Sequence, residues 1–172
     1  MNLQELLLST LSRANTDYIA HWATEEPVNF EELYQLIFSD NLRLAWRATW
    51  VVEKTHLLQP ELLTEKLPEL MIALPTFKVD GIKRSVLLII LRSSQSTDIP
   101  VELINTCFDW MMSSTESFAV QVNSMKVLDK ICRQIPDLRQ ELMTCLSGDL
   151  SNKSAGLQAA ARIIHQSNRR LL

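Results

Sequence analysis

The sequence predicts an all-α chain of about five antiparallel helix pairs, and three observations point to it. Apolar residues recur at helical spacing along the chain. Proline opens a helical run at Pro27, Pro60, Pro100 and Pro136, at intervals of 33, 40 and 36 residues. At the first helical turn proline's missing N–H leaves no partner unsatisfied. Glycine is confined to Gly81, Gly148 and Gly156 in 172 residues. That scarcity argues against tight hairpins and phosphate-cradling loops, which use glycine for positive φ.

The elements follow in order. In MNLQELLLSTLSRA, Leu3, Leu6, Leu7 and Leu11 recur at helical spacing. Glu5 interrupts the apolar run and no basic segment precedes it, so an amphipathic first helix is expected, not a leader. With residues 17–24 it forms a shortened leading pair. The proline-led runs are then first helices, PVNFEELYQLIF, PELLTEKLPELMIAL, PVELINTCFDWMM and PDLRQELMTCL, each carrying a Glu-Leu pair. Second helices are expected to begin near Asp40, Asp80, Glu116 and Asp149, where an acidic side chain suits a helix N-terminus. Leu42, Ala45, Trp46 and Thr49 make one apolar stripe; Ile82, Ser85, Val86 and Ile89 make the next.

Small residues, Ala45, Ser85, Ser124 and Ala160, fall at comparable points and permit close helix approach. Pro68 and Pro75 predict a kink or early ending in the third pair's first helix. The stretch SSQSTD (93–98) reads as a polar turn within one domain spanning 1–172. The pairs are then 2–26, 27–57, 59–94, 99–134 and 136–172.

A two-helix period of this length belongs to the helical repeat families. Asp40-Asn-Leu-Arg43-Leu-Ala45-Trp-Arg-Ala48 resembles the second helix of a HEAT repeat, with an acidic turn residue, an aliphatic-Arg pair and then small residues. Asp80-Gly-Ile-Lys83-Arg-Ser85 is similar, with lysine in the arginine place. The resemblance spans most of the chain as architecture and residues 40–94 as motif. It implies an α-α superhelix, a HEAT-like solenoid, with second helices lining the concave side. On function it is nearly silent, because such arrays host many roles.

Charge separates the two kinds of helix. First helices are acidic, carrying Glu31, Glu32, Glu61, Glu65, Glu69, Glu102, Asp109, Asp137 and Glu141. Second helices are net basic. Aligned on their small residues, Arg47, Lys126 and Arg162 share one position and Lys54, Arg133 and Arg169 another. Arg43, Arg47, Trp50 and Lys54 share one helix face at i, i+4, i+7 and i+11. Placed on the concave side by the resemblance, these residues form a basic groove that would draw anionic partners. Trp50 beside them could stack on a ring or base. The competing reading is plain solvation with ion pairing between repeats, in which Arg43 and Lys83 would form a ladder. Trp22, Trp46 and Trp110, with apolar neighbours, are expected in the core.

No catalytic or metal-binding constellation is expected. His21, His56 and His165 are far apart and lack ligands at metal spacing. Cys107, Cys132 and Cys145 sit on apolar stripes and read as buried reduced thiols. Glu25-Glu26 and Glu31-Glu32 point in different directions on a helix and do not form a dyad. No P-loop, dinucleotide or G-x-S-x-G motif occurs, and no cofactor is implied.

The expectation is a non-enzymatic, cytoplasmic interaction module without a membrane span, binding a protein or peptide with an acidic surface. The alternative is nucleic-acid handling, resembling the HEAT-like alkylpurine DNA glycosylases. A net charge of −3 and a pI near 5.6 oppose that alternative. Self-association through the terminal helices is a third possibility, because LQAAARIIHQSNRRLL is Ala-rich and ends Leu171-Leu172, and terminal repeats need a polar outer face to stay monomeric.

Overall fold

The computed structural model of the chain describes residues 2–94, 98–148, 150–151 and 153–169. Among these, ten α-helices follow one another as adjacent pairs. Helix α1 (Leu3–Ser9) pairs with α2 (Arg13–Glu25), α3 (Pro27–Gln35) with α4 (Leu42–Leu58), and α5 (Leu67–Ala73) with α6 (Asp80–Arg92). Then α7 (Val101–Met112) pairs with α8 (Phe118–Ile131), and α9 (Leu138–Ser147) with α10 (Ala155–Arg169). The fold is the expected all-α set of about five pairs.

The helix starts differ in chemistry from the expected acidic caps. Pro27 does occupy the first turn of α3. At α4, however, Asn41 is the cap, and its side-chain oxygen accepts from the N–H groups of Arg43 and Leu44 at 3.2 Å each. Asp80 lies inside the first turn of α6, with Val79 as the cap, so it acts through the helix dipole alone. Ser117 precedes α8 in place of Glu116. Asp149 lies outside the described residues. Of these three starts only that of α4 is capped by a side chain; Val79 and Ser117 make no side-chain cap bond, so acidic residues were a poor locator.

Proline breaks the third pair as expected. Pro60–Leu63 and Leu74–Thr76 are 3₁₀ turns flanking a seven-residue α5, and Pro68 sits at the start of that helix.

The chain divides into two compact units, Met1–Ser94 and Gln95–Leu172. The division falls inside the polar stretch read from the sequence as a turn within one domain, and residues 95–97 of that stretch lie outside the described ones.

In the first unit α4 is the hub, packing on α1, α2, α3 and α6. Its Ala48 and Val52 are buried with Leu33, Ile37, Leu70 and Val86. Ala45 and Ser85 are buried too. The first helices are tied by polar contacts. Lys66 Nζ lies 2.7 Å from Glu31 Oε2, and the Tyr34 hydroxyl donates to Glu69 Oε2 at 2.7 Å. The Lys66 contact holds the Glu31 carboxyl below its ordinary pKa and raises the Lys66 ammonium above its own.

The second unit centres on α8, which packs on α7, α9 and α10, with Leu103, Cys107, Met111, Met125, Leu128 and Leu157 buried. Lys153 Nζ donates to the carbonyls of Met112 and Ser113 at 3.0 and 2.7 Å. It thereby neutralises the negative end of the α7 dipole.

The tryptophan expectation needs correcting. Trp22, Trp46 and Trp110 are each half-buried, not core. The Trp46 indole lies over Gly81 so closely that a Cβ there would meet it.

Candidate functional site

Helix α4 makes roughly one turn per 3.6 residues, so Arg43, Trp50 and Lys54 fall on nearly one line. Its flanks face different neighbours. On one side Arg47 turns toward α1: only 5% of it is exposed, and Nη1 donates to the carbonyl of Leu7 at 2.6 Å. Burial, followed by the nearby charge of Arg43, lowers the pKa of the Arg47 guanidinium. On the other side Glu53 turns toward α6. Its Oε2 accepts from Ser85 Oγ at 2.7 Å and its Oε1 from Arg92 Nη1 at 2.9 Å, while Arg84 Nη2 lies 3.5 Å away. His56, one turn on, is buried with Nε2 at 3.3 Å from Ser93 Oγ.

Between those flanks the surface is open. Arg43 is exposed, Trp50 and Lys54 are half-exposed, and Leu57 and Leu58 are exposed beyond them. Lys54 Nζ lies 3.5 Å from Asp17 of α2. Asp17, Ala20 and His21 of α2 and Lys54, Leu57 and Leu58 of α4 line a cleft of about 280 Å³. The face thus combines cations, a flat aromatic ring and an apolar-floored cleft, a composition suited to a peptide bearing both acidic and apolar side chains.

Four of the eight sequence-predicted residues therefore belong to the first unit, and three of them share its open face. Arg47 is the exception: it is a buried tie between α4 and α1. Among the described residues Arg43 forms no ion pair, so the ladder expected of it does not form; between α4 and α6 it is Glu53 that pairs, with Arg84 and Arg92.

In the second unit Lys126 of α8 and Arg162 of α10 are exposed. Arg162 borders a cleft of about 470 Å³ with Leu146, Ser147, Gln158 and His165. Arg133, past the end of α8, pairs with Asp129 at 3.1 Å. The side chain of Arg169 lies outside the described ones. The three equivalent positions 47, 126 and 162 thus differ in exposure, because the helix covering Arg47 is the short leading α1.

The sequence missed Glu53, Arg84 and Arg92 as a group. Glu53 entered the charge balance only as one acid on a basic helix. A glutamate followed 31 and 39 residues later by arginines, close to one repeat period, was the available signal.

Burial pushes the Cys107 thiol up to about 12 and that of Cys132 to about 11. Cys107, Cys132 and Cys145 are free cysteines. Among the described residues no group of three His, Cys, Asp or Glu could hold a metal ion, and no helix is long and apolar enough to cross a membrane.

Comparison with known proteins now gives the class. The profile of the HEAT repeat domain matches residues 3–168. The chain belongs to the HEAT repeat family, whose domains are generally protein-interaction modules and usually non-catalytic scaffolds. No match was found among curated proteins or among solved structures.

Proposed function

We propose that the chain is a non-enzymatic interaction module whose basic second helices receive an acidic segment of a protein partner. The observation that carries this reading is the alignment of Arg43, Trp50 and Lys54 on the open face of α4. A charge-reading surface needs cations that are available and an apolar anchor beside them. Arg43 supplies the first, while Trp50 with Leu57 and Leu58 supplies the second. Lys54 contributes through a loose contact, since a half-exposed pair at 3.5 Å exchanges readily with a partner carboxylate. Lys126, Arg133, Arg162 and Arg169 extend the same preference for acidic partners to the second unit. A cytoplasmic setting accords with three free cysteines.

Co-purification followed by quantitative mass spectrometry tests the reading. Proteins recovered with wild type are expected to fall at least tenfold with Arg43→Glu/Lys54→Glu, and unchanged recovery would remove the assignment.

Trp50 between two cations is also what a single-stranded nucleic acid would use. Net charge −3 weighs against that reading. Fluorescence anisotropy with labelled DNA at low salt separates the two: the peptide reading expects no binding, and salt-sensitive binding through Arg43 would transfer the face to nucleic acid.

A further inference from the structure

We propose that Arg84 and Arg92 of α6, held side by side by the buried carboxylate of Glu53, bind a phosphate group carried on a side chain of the partner. The inference deepens the acidic-partner reading and rests on it for the source of the phosphate, though the site itself can be tested without any partner.

The Glu53 side chain is 10% exposed, whereas those of Arg84 and Arg92 are 37% and 39% exposed. The buried member of the cluster is therefore the anion, and both cations reach solvent. Each oxygen of Glu53 engages one arginine, Oε1 at 2.9 Å from Arg92 and Oε2 at 3.5 Å from Arg84. Ser85 Oγ adds a 2.7 Å bond to Oε2 and also accepts from Arg84 Nη2 at 3.3 Å. One carboxylate thus brings together two guanidiniums that start eight residues apart on α6.

The arithmetic of charge and donors leaves the site unfilled. Two guanidiniums against one carboxylate leave a net positive charge. Each guanidinium has five N–H donors in a planar fork, and the contacts to Glu53 and Ser85 use the minority of them. Burying a carboxylate is costly and adds less stability than a well-packed apolar side chain would. What it does add is orientation, so the entropy of aligning two long side chains is lost on folding and not again on binding.

The shape of the ligand follows. A carboxylate offers two oxygens, which Glu53 already divides between the two arginines, whereas a phosphate monoester offers three terminal oxygens and more charge, enough to engage the spare edge of each fork. Two adjacent arginines with spare edges therefore favour a phosphate monoester over an aspartate or glutamate side chain. Because the arginines lie on α6 and Trp50 and Arg43 on the neighbouring α4, the phosphorylated residue would sit to the α6 side of the face that holds the rest of the partner.

NMR titration of the full chain, observing arginine Nε–H signals at constant ionic strength, tests the site. The probes are inorganic phosphate, a Gly-Gly-phosphoserine-Gly-Gly peptide and its unphosphorylated form. Saturable shifts at Arg84 and Arg92 are expected with the phosphopeptide at least as tightly as with inorganic phosphate, and not with the unphosphorylated form. Affinity should fall at least tenfold in Arg84→Gln and in Arg92→Gln, and several-fold in Arg84→Lys, which keeps the charge and loses the fork. Lys78→Gln, an exposed cation outside both sites, should leave it unchanged. Far-UV circular dichroism of each variant confirms that the helices are intact.

Phosphopeptide affinity equal in wild type and both glutamine variants would overturn the site, as would shifts that follow salt without saturating. Inorganic phosphate that binds through Arg84 and Arg92 while the phosphopeptide does not would overturn its protein source. Failure of the broader reading is distinct, because it appears as partner recovery unchanged by Arg43→Glu/Lys54→Glu, with the phosphate titration as in wild type.

Discussion

Arg43 and Arg47 stand one turn apart on α4, and what separates their roles is the position of α1. Leu7 offers a carbonyl to Arg47 at 2.6 Å, whereas Arg43 is left exposed. Hydrogen bonds to a charged group contribute about 1.5–3 kcal/mol, and an unsatisfied buried acceptor is costly. Arg47→Met is therefore expected to lower unfolding free energy by about 2 kcal/mol in urea denaturation and to speed amide exchange in α1. Arg43→Glu should change stability by less than about 0.5 kcal/mol, as exposed substitutions usually do. Equal effects would contradict the division. Glu53→Ala strands two arginines that can still reach water, so a loss of about 2 kcal/mol is expected by the same measurement, below the roughly 3–5 kcal/mol of a fully buried pair. The thiol of Cys107, pushed up to about 12 by burial, should resist iodoacetamide at pH 8 in the native protein and react once unfolded in urea.

At the scale of elements, helix pairing was legible because its signals are local. Pro27, the stripe from Leu42 to Thr49 and the prolines of residues 60–75 each act over one or two turns: the first two marked helices that formed, though Leu42 itself is exposed, and the last marked a broken one, with a 3₁₀ turn at Pro60. Contacts across helices were not legible. Whether position 43 or 47 is covered depends on where α1 ends, and Glu53 meets Arg84 and Arg92 only in the register that α4 and α6 adopt. The half-buried tryptophans show the same limit: Trp46 has apolar neighbours in sequence, yet its indole rests on the start of α6 at Gly81. That contact makes a prediction against propensity. Alanine favours a helix over glycine by about 1 kcal/mol, but a Cβ at 81 must displace the indole. Gly81→Ala is expected to destabilise by about 1 kcal/mol, through overpacking, and to shift tryptophan fluorescence to the red. A gain in stability with unchanged emission would contradict it.

At the scale of the molecule, the HEAT repeat family accounts for the five pairs, and the two compact units each enclose a core of their own. The family leaves open what is bound, and it is the distribution of charge that favours an acidic partner. Acids tie the first helices to one another, as Glu31 does with Lys66, whereas Arg43 and Trp50 remain available on α4. A protein with net charge −3 thus keeps a basic face on its first unit, an arrangement suited to selecting acidic partners over bulk anionic polymers. The most direct test is co-purification with quantitative mass spectrometry, comparing wild type, Arg43→Glu/Lys54→Glu and, as a control at exposed residues outside α4, Glu61→Lys/Glu65→Lys. Partners are expected to fall at least tenfold with the first variant and to persist with the control. Identical recovery from all three proteins would contradict the role of the basic face.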